Sequence, residues 1–382
     1  MRLLYIFIFI YSLNVVIPVS GQVITSMKGQ VNNWTTMNFR ESFQYQFGGR
    51  FIPELDFMKQ GSKINYETQI SFNTMGSATF REMERTGFTE KFSPYRAWAR
   101  LSGNRFELRA GLQKISFGSA TMLRPLMWFD RIDPRDPLHL TEGVYGLLGR
   151  YYFPNNANVW LWGLYGNNKT KGWEAFTSVN NKPEIGGRFQ FPVPDGEVAL
   201  SIHTRNADLS SFFADSLIVG SKYFNQNKYA LDGKWDIGPG AWMEYVVTHN
   251  AKGNILIPYR FMHALNLGID YTFGIGNGLT SVGEIFYIRN GNTFTGKTSD
   301  AVMNAISLNY PLGLMDDVTA MVYYNWDQND WYRFVNFKRT YDFWTIYLML
   351  YWNPGTFDLY NFTSSQNLFV GKGLQLMIVY NF

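Results

Sequence analysis

The 382-residue chain contains no cysteine. That excludes disulfides, thiolate metal sites and thiol nucleophiles, and leaves the redox compartment unread. Histidine is nearly as scarce, at four residues: His139, His203, His249 and His263. No His-x-x-x-His pair, nucleophile elbow or phosphate loop accompanies them, so neither a metal centre nor a hydrolase is indicated. Charge of one sign is lacking too. With 34 basic and 30 acidic residues the net charge is +4, too balanced to imply a nucleic-acid partner. Beyond the N-terminus no segment approaches the ~18–20 apolar residues that a spanning helix requires.

The N-terminus itself reads as a signal peptide over residues 1–21. Arg2 precedes an apolar run from Leu3 to Ile10 and a further stretch to Val19, and Val19-Ser20-Gly21 offers a small-residue cleavage site. Asn14 and Pro18 interrupt the stretch and no basic flank follows, which argues against a membrane anchor. The mature chain, 22–382, is expected to be one domain.

What remains is aromatic and alternating. Aromatics make up 18% of the chain, with 24 Tyr, 32 Phe and 12 Trp, while mean hydropathy is slightly negative at −0.19. That combination suits strands with one lipid face and one water face, whose hydropathies cancel. Tyr66, Thr68, Ile70 and Phe72 alternate with Glu67, Gln69 and Ser71. Tyr95, Ala97, Ala99 and Leu101 alternate with Arg96, Trp98 and Arg100, and the turn Ser102-Gly103-Asn104 leads into Phe106, Leu108 and Ala110 against Glu107 and Arg109. Tight turns are expected at 154–156, 194–196, 238–240, 274–278, 311–316 and 353–355. Longer joins are expected at 75–93, 119–142, 168–182, 207–226, 251–259, 291–299, 328–339 and 363–372. Such a short-long rhythm is that of a transmembrane antiparallel up-and-down β-barrel. Counting gives 17 strands if residues 35–58 form one, or 18 if Gly48-Gly49 divides them. An even number is required for both termini to lie on one side, so 18 is expected, with 16 as the alternative.

The last strand places Leu374, Leu376, Ile378, Tyr380 and Phe382 on one face. It resembles the C-terminal signature of outer-membrane barrels. The resemblance implies outer-membrane lipid as surroundings and recognition of the strand ending at Phe382 by the barrel-assembly machinery.

Assigning the apolar faces to lipid puts Arg40, Arg96, Arg100, Arg109, Arg150, Arg188 and Arg205 in the lumen, with Glu67, Glu107, Glu184 and Glu197 partly neutralising them. A cationic ladder that selects solutes and a set of wall-stabilising ion pairs are both open readings. The proline-broken segment 119–138 carries Arg124, Asp130, Arg131, Asp133, Arg135 and Asp136, and is expected to fold inward as a constriction. Its three carboxylates would face the arginine wall, or else Arg-Asp pairs would pin the loop structurally. Calcium binding is disfavoured, because the aspartate spacing departs from the EF-hand pattern and prolines replace its glycine. Trp98 and Trp128 raise sugar stacking, whereas Tyr151, Tyr152, Trp160, Trp162, Trp344 and Trp352 suit interfacial girdles.

The stretch 108–118, Leu-Arg-Ala-Gly-Leu-Gln-Lys-Ile-Ser-Phe-Gly, followed by Asp-Arg-Ile-Asp-Pro-Arg-Asp-Pro at 130–137, resembles porin-type barrels. Similar strand-plus-loop pairs occur in alginate-export-like and related channels, including uncharacterised ones of Bacteroidetes-type bacteria. The resemblance implies a passive or facilitated channel and names no solute; from the residues, small hydrophilic solutes are expected, with no cofactor and no catalytic residue. Anionic solutes are favoured by the arginines. Export or surface anchoring of an acidic polysaccharide is the alternative.

Overall fold

The computed structural model describes residues 23–39, 43–211, 213, 221–251, 257, 259–355 and 369–382. The expected signal peptide and Arg40 lie outside the described residues. The first strands are long: β1 (Val23–Phe39), β2 (Phe43–Lys59), β3 (Asn65–Arg81) and β4 (Glu84–Ser102). Shorter ones follow: β5 (Phe106–Gln113), β6 (Val144–Tyr152), β7 (Asn158–Leu164), the two-residue β8 (Thr177–Ser178), β9 (Glu184–Val193) and β10 (Gly196–Asp208). The remainder are β11 (Tyr223–Asp236), β12 (Gly240–Asn250), β13 (Phe261–Phe273), β14 (Leu279–Gly291), β15 (Ser299–Pro311), β16 (Asp316–Asn325), β17 (Asp330–Thr340), β18 (Trp344–Trp352) and β19 (Lys372–Asn381).

Each strand pairs antiparallel with its chain neighbours, except that β7 pairs with β9 and the short β8 with β10, and β19 returns to β1, with Asn381 opposite Gln30 and Gly373 opposite Asn38. The sheet therefore closes on itself. Because β8 merely continues the position of β9 against β10, the wall has 18 staves. Phe382 completes the seam: it exchanges two backbone hydrogen bonds with Gly29, at 2.9 and 3.0 Å.

Burial runs opposite to that of a water-soluble protein. On β10, Leu200 and Ile202 are more than half exposed, while the alternate Ser201, His203 and Arg205 are buried. The same inversion recurs around the wall, giving a continuous apolar outer belt. Exposed apolar surface on that scale is stable only against lipid.

Close packing of the inner wall depends on glycine. Trp34, Trp162 and Trp242 each stand opposite a glycine on the neighbouring strand, Gly48, Gly186 and Gly268 respectively. A Cβ there would lie 2.0, 2.6 and 2.1 Å from the indole. The flattened rings donate to Gln46 Oε1 at 3.0 Å, His203 Nδ1 at 3.2 Å and Asn266 Oδ1 at 3.1 Å.

The count of 18 is reached by a different division from the one the turn residues suggest. Gly48-Gly49 lie inside β2, and the first strand begins at Val23. Residues 75–93 and 328–339 are not loops but hairpin strands, turning at Glu82-Met83 and at 326–329. Asn353-Pro354-Gly355 opens the last long connection, and the short turn lies at 341–343. Strands of 17 to 19 residues in β1–β4 exceed the ~9–11 that cross a bilayer, so this flank extends beyond the hydrocarbon.

Candidate functional site

Residues 114–143, between β5 and β6, run through the lumen to the opposite wall. The far wall holds them by two carboxylates. Glu244 of β12 accepts the backbone N–H groups of Ser119, Ala120 and Leu126 at 2.6, 2.8 and 3.3 Å. On β14, Glu284 accepts those of Thr121, Met122 and Leu123 at 2.7, 3.1 and 2.6 Å, together with the Thr121 hydroxyl at 3.0 Å. Asn266 of β13 bridges the two by donating to Leu123 O at 2.7 Å and to Glu284 at 3.1 Å. Consecutive amides pointing at a carboxylate satisfy backbone donors that a loop inside the barrel would otherwise leave unpaired.

This contact explains an otherwise odd lumen. Ile115, Leu123, Leu126 and Phe129 of the loop pack in one apolar cluster with Val246, Phe286, Tyr323, Phe334, Met349 and Tyr351, all inward-facing wall residues. The barrel thus carries a hydrophobic core inside it, on the β12–β18 side. A second segment, 165–183, packs on the first. Trp173 Nε1 donates to Arg124 O at 2.7 Å, and Gly172, with φ +46°, sits where a Cβ would fall 1.5 Å from Met127 O. Glu174 anchors this segment to Arg205 at 3.0 Å and Lys228 at 2.7 Å. Burial alone would raise the Glu174 carboxyl, but the charges of Arg205, Lys171 and Lys228 outweigh it and hold the group at about 2.

Six of the wall arginines singled out from the sequence, all but Arg40, lie among the described residues and belong to the inner face, but they divide into two groups. Arg100, Arg109 and Arg150 converge on Glu107, at 3.7, 2.9 and 3.7 Å, and Arg100 also pairs with Glu67. These side chains keep partial exposure of 11 to 25%. Three guanidinium groups against two carboxylates leave one net positive charge there. Arg96, Arg188 and Arg205 serve the packing instead. Arg96 donates to Thr141 O at 3.0 Å, Arg188 forms a two-pronged pair with Asp232 at 2.6 and 2.7 Å, and Arg205 is enclosed by Glu174, Gln226 and Ser178.

Two of the three loop carboxylates are arranged differently from the expectation that they face the arginine wall. Asp130 pairs with Arg124 at 3.1 Å and Asp133 with Arg135 at 2.6 Å, both within the loop. Asp136 accepts the Leu138 N–H at 3.0 Å, and Arg131 binds the Thr170 hydroxyl. Local partners at two and six residues' separation win over the wall because the loop folds back on itself. Trp160 and Trp162 are also inward rather than in the outer girdle: Arg150 lies 3.7 Å over the Trp160 ring, and Trp162 is buried against His203. His203 in turn contacts Glu184 at 3.2 Å, and Ser201 is bound by Arg188, so no Ser-His pair forms.

Between the loop and the β1–β4 and β19 side lies a cavity of about 440 Å³, bordered by Asn32, Trp34, Gln46, Arg50, Ser77 and Gln375 and by Asp136 of the loop. Arg50 lies over Trp34 at 5.6 Å, and Asp136 of the loop, on the same cavity, interacts with it electrostatically. Arg50 escaped notice in the sequence because Gly48-Gly49 reads as a turn. The lumen is therefore two-sided: apolar and packed on one flank, and on the other left with this cavity, whose lining mixes polar groups with Met75, Leu140, Phe369 and Met377.

An 18-stave closed wall with an inward loop is an outer-membrane architecture. The chain has the fold of outer-membrane channel proteins. No family model and no curated protein sequence matches it. Among solved structures, OccK5 (OpdH) of Pseudomonas aeruginosa superposes over 94% of this chain and 97% of its own, with TM-score 0.57 and 12% identity. The outer-membrane channel DcaP of Acinetobacter baumannii covers 94% and 97%, with TM-score 0.51 and 10% identity. Wzi, an outer-membrane protein of Escherichia coli involved in capsule assembly, covers 93% and 84%, with TM-score 0.51 and 12% identity. At these identities the outer-membrane barrel shares a fold with them and nothing finer.

Proposed function

We propose that this protein is an outer-membrane diffusion channel for small hydrophilic solutes, whose path follows the polar flank formed by β19 and β1–β5. The observation that carries the reading is the two-sided lumen. A loop fastened by Glu244 and Glu284 to the far wall narrows the barrel, and the wall left facing it is lined by amide, hydroxyl and guanidinium groups. A preference for anions follows from the surplus guanidinium of the Arg100, Arg109 and Arg150 cluster, since fixed charge lining a narrow passage filters ions by sign. No step of catalysis is invoked, and no cofactor.

The alternative, a barrel that exports or anchors an acidic polysaccharide as the alginate-export-like resemblance suggests, draws on Wzi, which is described as a carbohydrate-binding β-barrel. Against it, the Trp98 ring that a sugar would stack on is already covered by Arg109 at 4.8 Å and Arg100 at 5.7 Å. Surrounding outer-membrane lipid and recognition of the Phe382 strand by the assembly machinery belong to the same proposal.

Planar-bilayer recording tests it. The reconstituted barrel should give discrete conductance steps, with a reversal potential under a salt gradient on the anion side. A lumen that never conducts refutes the channel, and a cation-side potential refutes the charge argument.

A further inference from the structure

The loop's other side encloses a second space, remote from the polar passage. A cavity of about 210 Å³ lies between the two inward segments and the inner faces of β11–β14. Its walls are chiefly apolar, among them Met127, Trp128, Trp173, Ala264, Phe286 and Ile288. Trp173 and Phe286 stack there with ring centroids 5.4 Å apart. Of the polar groups around it, Lys228 is engaged with Glu174 at 2.7 Å and Gln226 with Asn250 at 2.8 Å. The Trp128 indole N–H is not among them. Trp128 is only 3% exposed, and its indole N–H has no acceptor among the described residues.

These features make a specific combination. Protein interiors leave few voids larger than a water molecule, and apolar cavities of roughly 150 Å³ stay dry and take up benzene-sized ligands. A larger residue in place of Ala264 would fill this one, yet the space is kept. A buried indole N–H without an acceptor is costly unless a ligand supplies one. We infer that this cavity is a binding site for a small planar aromatic molecule that carries one hydrogen-bond acceptor, such as a phenolic or carbonyl oxygen, with the ring lodged near Trp173 and Phe286 and the acceptor on Trp128. Occupancy would brace the loop from behind, on the side away from the polar passage. The site stands whether or not the barrel conducts.

The test uses the full barrel in lipid nanodiscs, with 4-fluorophenol followed by fluorine NMR and with methionine methyls isotopically labelled. The expected result is a saturable bound signal, with shifts confined to Met127 and Met262, both at the cavity, and none at Met83 on the exposed β3–β4 turn. Ala264→Phe or Ile288→Phe should abolish the saturable signal. Trp128→Phe should weaken 4-fluorophenol on the order of fivefold and leave fluorobenzene unchanged, as loss of one buried hydrogen bond would. Non-saturable partitioning alone, which reports lipid, overturns the inference. So does saturable binding that survives the filled cavity or shifts other methyls. Should both filling variants fail to fold, the methyl map on the unaltered protein decides.

Discussion

Replacing Glu284 with glutamine should free the lumenal loop while leaving the barrel intact. The native carboxylate accepts five hydrogen bonds, from Thr121 N and Oγ1, Met122 N, Leu123 N and Asn266 Nδ2. Glutamine retains one carbonyl oxygen able to accept on the Thr121 and Met122 side. Its NH2 would face Leu123 N and Asn266 Nδ2, donor against donor. Two charge-assisted bonds are lost and two buried donors are stranded, which amounts to about 2–4 kcal/mol. At 1.4 kcal/mol per decade this raises the population of the released loop by roughly 30- to 700-fold. The absence of native cysteine makes the assay direct. Met122 is 3% exposed, so in a Met122→Cys background maleimide labelling reports loop opening, and adding Glu284→Gln should accelerate it by at least an order of magnitude. Heat-modifiable gel migration should stay that of a closed barrel. A labelling rate changed less than twofold would show that the carboxylate does not hold the loop.

Further consequences follow from the same geometry. Converting Arg100, Arg109 and Arg150 together to glutamine leaves Glu67 and Glu107 unopposed, so one net positive charge becomes two negative and the reversal potential should move to the cation side. An unchanged potential would mean the ions pass elsewhere. Gly172→Ala places a methyl on the Met127 carbonyl and a side chain in left-handed backbone, so segment 165–183 should detach and become protease-sensitive with the barrel still folded; full resistance would contradict this packing. Glu174 has a depressed pKa of about 2, so its contribution is present above the ordinary carboxylate value of 4.5 and is lost as pH falls from there through about 2. Protease resistance of segment 165–183 should therefore hold at pH 5 and fail near pH 2, and loss already at pH 6 would assign the anchoring to another group.

The closed barrel was legible because alternation and turn chemistry repeat eighteen times over, so local errors cancel. Those errors have physical causes. Gly48 resembles a turn residue, yet it is glycine because Trp34 lies across it. Conversely, the turn at Glu82-Met83 has no turn-forming residue, although both have positive φ, +48° and +72°, and so the β3–β4 hairpin reads as a loop. The inner arginines were legible as a set, but their division into exposed cluster and buried anchors depends on partners far away in sequence, such as Asp232 for Arg188. The loop's true fastenings, Glu244 and Glu284, went unread. A signal was there: Glu284 shares its inward face with Val282 and Phe286, a lone carboxylate in an apolar stripe with no basic neighbour. Its partners are backbone amides, which carry no sequence signature.

The central claim is that solutes pass along the polar flank and not through the packed one. Thr89 borders the open cavity and is exposed, whereas Ala305 faces the packed side and is 1% exposed. Single-channel current should therefore be recorded before and after a bulky charged methanethiosulfonate reagent is applied to Thr89→Cys and Ala305→Cys barrels. A sustained drop in conductance for Thr89→Cys, with none for Ala305→Cys, is the predicted result. An unaffected Thr89→Cys current, or block through Ala305→Cys, would contradict the account.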